Sequence, residues 1–542
     1  MIKRTLCSLT AALVLAAQPS AGAATAPVLD WHFSGTEALT KSQPEALLVK
    51  SGQLQEWGSF SIQIKNQFNR HLPALLGLAG DNGTAVGSII RPLLDDLQRF
   101  ESAGHVEGER IPGASWVLAI RLNEDGISRW RGELFNLGRQ LKLDEPAALS
   151  VKGVSGWKIP STQQMRGFEF ATAGDWLVAG DSFREGTKAA AWLQSLVREK
   201  RPVAALEEEW LKLDFNPAAL GWPLATPVTG PISRVEASWS WQGADVRSQG
   251  TLTVASLGGV DDARWSTPKG IIRDPLVSFT AIRGMKSFLA GLEAFKGIDK
   301  AAMPDQWFSW AREDVVFIND FALPVRDEAA MFAHLERSVP AAYNDWIMSV
   351  SLGQWLSATN SSRILWRGLP VFVPYLEPIR DGEQGYLRGG VFPLIENEEG
   401  KPAPEQLYQQ FEGRRQLLYY DWEITALRLG AFRQMQPFSQ LISPTAPDRE
   451  GANGGAWLAA IQNQLGNSIT EATKEGENRV TFTRRSPLGM TGIELWLFTR
   501  WLDSSEFPEF PYAMPRPGQR TGLPVPDAGD GSTAAPAKRV RP

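Results

Sequence analysis

Histidine is the side chain that most readily exchanges protons near neutral pH, and it occurs at four positions in 542 residues: His32, His71, His105 and His334. None stands in an HExxH or His-x-His arrangement, so the recognisable zinc-peptidase spacings are absent. His334 lies beside Phe332 and Leu335 in a helical pattern and reads as a histidine at a packed face, not a ligand. The single cysteine, Cys7, leaves no pair for a disulfide and no cluster for a thiolate-bound metal. Gly77, Gly80, Gly83 and Gly87 crowd together but form neither a GxxxxGKS/T nor a GxGxxG loop, so the passage reads as a connection between helices. Asp527 to Gly531 lacks the glutamate that completes a calcium loop.

Gly180-Asp181-Ser182-Phe183 superficially resembles the Gly-Asp-Ser block of certain esterases. Those enzymes also need an Asp-x-x-His pair near the carboxyl end, whereas no histidine follows His334 and Met331 stands three residues before it. Asp181 and Ser182 are therefore read as the turn and N-cap of the next helix. Carboxylates are the reactive groups that remain. Two acids roughly 5 to 10 Å apart suffice for a glycosidase without any fixed motif, and 21 tryptophans offer sugar-stacking surfaces. Trp192, Trp239, Trp241 and Trp496 fall on periodic core faces, however, and Glu207-Glu208-Glu209 reads as a solvated helix segment. No residue is assigned a catalytic, cofactor-binding or metal-ligating role, and no cofactor is expected.

The elements that would position such groups follow from periodicity. Residues 24–113 read as mainly helical, with Val86, Ile89, Ile90, Leu93, Leu94, Leu97 and Phe100 at helical spacing and Pro92 interrupting them. A first α+β unit, 114–256, holds a strand at Trp116 to Leu122, a helix at Gly126 to Leu141, two strands within Phe168 to Val178 and a helix at Glu185 to Lys200. It closes on a hairpin from Arg234 to Val254. There Val235, Ala237, Trp239 and Trp241 alternate with Glu236, Ser238, Ser240 and Gln242, and the return strand sets Arg247, Gln249, Thr251 and Thr253 on the wet side. Phe215 to Ser233, with Pro217, Pro223, Pro227 and Pro231, reads as an extended connector.

A second α+β unit, 257–504, repeats a similar order. Strands are expected at Leu276 to Ile282, Val315 to Val325, Ile364 to Tyr375 and Tyr386 to Leu394, with a short one at Val480 to Thr483. Helices are expected at Met285 to Phe295, Glu328 to Val339, Leu417 to Phe432 and Gly492 to Leu502. The fold class is α+β: mostly antiparallel sheets flanked by helices, in two halves whose order suggests a duplication although no residue-by-residue repeat is visible. Residues 505–542 carry Pro, Gly, Ala and Thr and read as a disordered Pro-rich tail, with Phe507, Phe510 and Tyr512 able to pin its start.

Lys3 and Arg4, the apolar Leu6 to Ala17 and the small-residue site Ala21-Gly22-Ala23 form an export signal, 1–23, cleaved before Ala24. The mature chain would then lack Cys7 and be slightly more acidic than the formal −5 of the whole, a charge that gives nucleic acid no reason to bind. No transmembrane span is expected in the mature chain, and the localisation is periplasmic or secreted.

The hairpin, the run Ile271-Ile272-Arg273-Asp274-Pro275-Leu276-Val277-Ser278-Phe279-Thr280-Ala281, the run Leu418-Tyr419-Tyr420-Asp421-Trp422-Glu423 and Ser486-Pro487-Leu488-Gly489 together resemble a group of uncharacterised exported bacterial proteins. The resemblance implies an exported globular body and transfers no catalytic residue. The expected function is that of an exported, non-enzymatic envelope protein binding a protein partner or an apolar ligand. The alternative is a carbohydrate-active hydrolase using a carboxylate pair.

Overall fold

The computed structural model describes residues 27–75, 82–108, 114–162, 167–220, 224–257, 259–313, 319–349, 351–359, 361–369, 372–392, 401–434, 453–504 and 507. The expected signal, the glycines Gly77 and Gly80 and nearly all of the expected tail lie outside them; Gly83 and Gly87 fall in the helix Asn82–Arg99.

In chain order the first half contributes β1 (Leu29–Phe33), β2 (Ser102–Glu107), β3 (Ser115–Arg121), β4 (Ala147–Val151), β5 (Val154–Ile159), β6 (Phe168–Ala173), β7 (Trp176–Gly180), β8 (Glu209–Phe215), β9 (Ala225–Thr226), β10 (Gly230–Gln242) and β11 (Asp245–Val254). The second contributes β12 (Leu276–Arg283), β13 (Gln306–Arg312), β14 (Asn319–Val325), β15 (Gln354–Ser357), β16 (Ile364–Arg367), β17 (Tyr375–Asp381), β18 (Gln384–Gly390), β19 (Leu417–Ile424), β20 (Asn467–Glu475) and β21 (Arg479–Ser486). Every pairing among the described residues is antiparallel, and the halves meet where β11 pairs with β21.

Outward from that seam the neighbours are β10, β8, β1, β2, β3, β7, β6, β5 and β4 on one side. On the other they are β20, β19, β12, β13, β14, β18, β17, β16 and β15. The two halves thus share one strand order and one connectivity. A helix follows the third strand of each, Glu124–Gln140 and Glu328–Ser349, and another precedes the strand that returns to the first, Lys188–Glu199 and Glu405–Gln409. Because the equivalent strands β11 and β21 pair antiparallel, a pseudo-two-fold axis relates the halves near the Gln249–Thr483 pair.

The mainly helical region 24–113 is not a separate layer. Its helices Thr36–Ser42, Leu47–Ser51, Gln55–Leu75 and Asn82–Arg99 are inserted between β1 and β2, at the place where the second half has only Lys286–Ala290 and a short 3-10 turn. Gln55–Leu75 and Asn82–Arg99 pack with Asn453–Ile461 and the closing helix Gly492–Asp503 in one apolar cluster that includes Phe60, Val86, Trp457 and Leu495, whereas Leu39 of Thr36–Ser42 joins the core of β1, β8 and β10.

Leu417 to Phe432 departs from expectation: its first half is the strand β19, and a helix begins only at Thr425–Gln434. The run lacks period-two alternation because β19 is covered on both faces, with Tyr420 and Glu423 both buried. Glu207 and Glu208 likewise form bends leading into β8, not a helix. Asp181 and Ser182 do not cap the next helix; Thr187 does, its side chain accepting from the Ala190 amide.

Candidate functional site

The alternation of β10 and β11 sends Val235, Trp239, Val246 and Leu252 into a core on one face of the sheet. Their neighbours Glu236, Ser238, Gln249 and Thr251 point the other way, into an open trough of about 780 Å³. Its floor is a cross-strand row: His32 opposes Lys212, which opposes Ser238, then Gln249, then Thr483. A parallel row carries Asp30, Asp214, Glu236, Thr251 and Thr481. Trp192 and Lys188 of the helix Lys188–Glu199, with Val203, form a wall.

Charges in this trough are held by neighbours. Nδ1 of His105 lies 2.7 Å from Oδ1 of Asp30 and Nε2 lies 3.3 Å from Glu107. Burial alone would lower the pKa of His105, but the hydrogen bonds and charges of Asp30 and Glu107 outweigh it and raise the group above the ordinary imidazole value. With a carboxylate at each nitrogen, the imidazolium satisfies both as a donor. Nε of Arg234 donates to Asp214 at 2.8 Å, and its Nη2 lies 3.4 Å from Glu236. Next to the trough, His32 contacts Glu101 at 3.1 Å. Burial pushes Glu101 up, but His32, Arg201 and Arg121 bring it below the usual carboxylate range.

A second concentration of ionisable groups lies on the opposite face, sealed beneath the closing helix. Arg484 donates to Glu494 through two bonds of 2.6 and 3.1 Å, both side chains being at most 5% exposed. Glu494 also closes a capping box with Thr491. On β19, Asp421 accepts from Thr280 at 2.7 Å and Glu423 accepts from the Gly492 amide at 2.7 Å. Burial, then the charge of Asp421, pushes Glu423 up to about 7. Burial raises Asp421 too. These are the side-by-side acids of perturbed protonation that a glycosidase would need, yet neither faces the trough, and their hydrogen bonds dock the helix Gly492–Asp503 and β12.

Two acids do face each other in the open: Asp214 and Glu236 are direct cross-strand partners. Arg234 lies against both. Among the described residues no group of three or more His, Cys, Asp or Glu could hold a metal ion, and no helix is long and apolar enough to cross a membrane.

His334 is half-buried on the helix Glu328–Ser349, and the structure does not bring it to the trough. His71 falls among side chains outside the description. The wet face of the hairpin, legible from alternation, is the central part of the trough floor. Asp30, Lys212 and Asp214 were missed because β1 and β8 are short and bounded by aromatic residues that hide their period.

No family model matches the chain, and no curated protein does. Among solved structures there is a likeness to "Structure of crystal form IV of TP0453", at 10% identity and a TM-score of 0.22, covering 45% of this chain and 83% of that one. At that score the likeness carries no argument.

Proposed function

We propose that this chain is an exported, non-enzymatic protein of the bacterial envelope that binds a polypeptide partner in its central trough. Export rests on Lys3, Arg4, the apolar Leu6 to Ala17 and Ala21-Gly22-Ala23. Binding rests on one observation above all: a large open cavity whose carboxylates Asp30, Asp214 and Glu236 are each held by a basic neighbour, with Lys188 and Lys212 also lining it and the uncharged Ser238, Gln249, Thr251, Thr481 and Thr483 making up the middle of its floor. Such a floor supplies donors and acceptors for peptide groups and would leave them unpaired beneath an apolar ligand, so a polypeptide suits it better than a lipid.

The test is site-specific cross-linking in cells from Thr251, in the trough, and from Gln140, on an exposed helical surface. A discrete adduct from Thr251 alone is expected, and adducts from neither or equally from both would refute the reading. Mass spectrometry of the periplasmic fraction should place the mature amino terminus at Ala24; an intact Met1 there would refute export through this signal.

The facing acids Asp214 and Glu236 favour a second reading, a carbohydrate-active hydrolase. It requires turnover in a glycan and chromogenic-glycoside screen that disappears in Glu236→Gln.

A further inference from the structure

The pseudo-two-fold relation gives every strand of one half a counterpart in the other. Strand order equates β1 with β12, so Asp30, opposite His105 and Asp214, matches Phe279, opposite Trp310 and Trp422. Followed outward, the same registers match Ala147 on the edge strand β4 with Leu356 on the edge strand β15. The helices that precede those edges, Glu124–Gln140 and Glu328–Ser349, are likewise equivalent.

At this end the halves differ. The first helix has 17 residues, and its stripe of Trp130, Leu134, Leu137 and Leu141 is packed to the end. Lys142, Asp144 and Glu145 then lead, exposed, into β4. The second helix has 22 residues and overruns its cover. Phe332, Leu335 and Val339 are buried, Tyr343 is half-buried, and Trp346, next on the same face, is 60% exposed. Asn344 clasps this helix to the sheet edge: its side chain donates to the Trp355 carbonyl at 3.0 Å and accepts from the Trp355 amide at 2.7 Å. Around that clasp stand Trp346, Met348 and Leu356, three of the seven large apolar side chains exposed among the described residues.

Two features decide what covers them. The first is charge. Between Asp345 and Glu377 the chain has no acidic residue and two arginines; Arg363 pairs with Glu377, whereas Arg367 is exposed and has no ion-pair partner among the described residues. The second is area. The exposed parts of the three side chains come to roughly 300 Å², well short of the about 800 Å² that each partner gives a standard protein interface. A bilayer needs no such match. Tryptophan settles at the boundary between headgroups and acyl chains, leucine and methionine enter the acyl side, and a free arginine meets lipid phosphate.

We propose that this end of the second half is a membrane-docking tip: Trp346, Met348 and Leu356 enter the headgroup–acyl boundary of a bilayer that carries anionic lipid, and Arg367 lies at its phosphates. The trough takes no part in this contact, so either reading can fail alone.

Flotation of the chain from Ala24 with phosphatidylethanolamine–phosphatidylglycerol vesicles, and with phosphatidylcholine vesicles, tests it. Binding to the anionic vesicles should fall about tenfold or more in the double variant Trp346→Ser, Met348→Ser. It should fall about fivefold in Arg367→Gln, which leaves the weaker binding to phosphatidylcholine unchanged. The chain from Ala24 holds no cysteine, so Leu356→Cys and the matched Ala147→Cys can each carry a single environment-sensitive dye. With anionic vesicles the dye at 356 should shift to the blue and the dye at 147 should not. Unaltered protein that fails to float with anionic vesicles overturns the proposal whether or not any variant folds. Equal responses of the two dyes, or flotation that ignores the double variant, overturn it as well. A dimer that the double variant dissolves, with no flotation, would assign the face to a second copy of the chain and refute the membrane.

Discussion

His105 and Glu423 show how the same sheet tunes protonation in opposite settings. His105 is stabilised in its charged form by Asp30 and Glu107, so its folded pKa lies above that of the unfolded chain. Its contribution is complete below the unfolded imidazole value, about 6.5, and is lost as pH rises through the higher folded value. Thermal melts across neutral pH should therefore show a decline in His105→Gln that is shallower than in the unaltered protein; parallel curves would contradict this. Glu423, pushed up to about 7 by burial, obeys the same sign for a different reason: its charged form is the one disfavoured. Stability should fall from about pH 4.5 to about pH 7, by on the order of 3 kcal/mol, and Glu423→Gln should flatten that window in denaturant titrations. An unchanged slope would show that the carboxyl is not buried as described.

At the scale of elements, the closing helix Gly492–Asp503 is held to the sheet by Arg484, Glu494 and Glu423. Arg484→Met leaves Glu494 a buried charge without its partner, which should cost about 3 to 5 kcal/mol. Hydrogen exchange should localise the loosening to that helix and β21, whereas a loss below about 1 kcal/mol would mean that the pair is solvated. The same element explains why part of the fold was hidden in the sequence. β20 reads as polar because its fully buried positions are Ser468 and Thr470, whose hydroxyls serve Thr425 and Arg484 where apolar groups would usually mark a strand. β19 looked helical for the opposite reason, since both of its faces are covered. The hairpin β10–β11, dry on one side and wet on the other, was legible from Arg234 to Val254, and with it Ser238, Gln249 and Thr251 of the trough floor, whereas Gly230 to Ser233, the start of β10, read as connector. Asp30 and Asp214 were not, because only the pairing of β1 with β8, distant in sequence, sets them face to face.

At the scale of the whole molecule, the order of strands in the second unit was recognisable as a repeat, but its axis was not, because equivalent positions such as Asp30 and Phe279 share no chemistry. The β11–β21 seam should couple the halves into one cooperative unit. Gly250 sits there with the Glu236 carbonyl 2.0 Å from where a Cβ would be and a Phe482 ring carbon at 2.9 Å. Gly250→Val should lower the melting of both halves together in a single calorimetric transition, and two separated transitions would show that they fold independently.

The asymmetry imposed on this symmetric frame is the centre of the account: one half seals its sheet face with Phe411, stacked on Phe279 and Tyr420, and among the described residues the other leaves the face over Asp30 and Lys212 as the trough proposed to bind a partner. The most direct measurement is the yield of the Thr251 cross-linked adduct in cells with and without Ser238→Trp. The adduct should vanish in the filled variant while its melting temperature stays that of the unaltered protein. An undiminished adduct from a folded, filled trough would contradict the account.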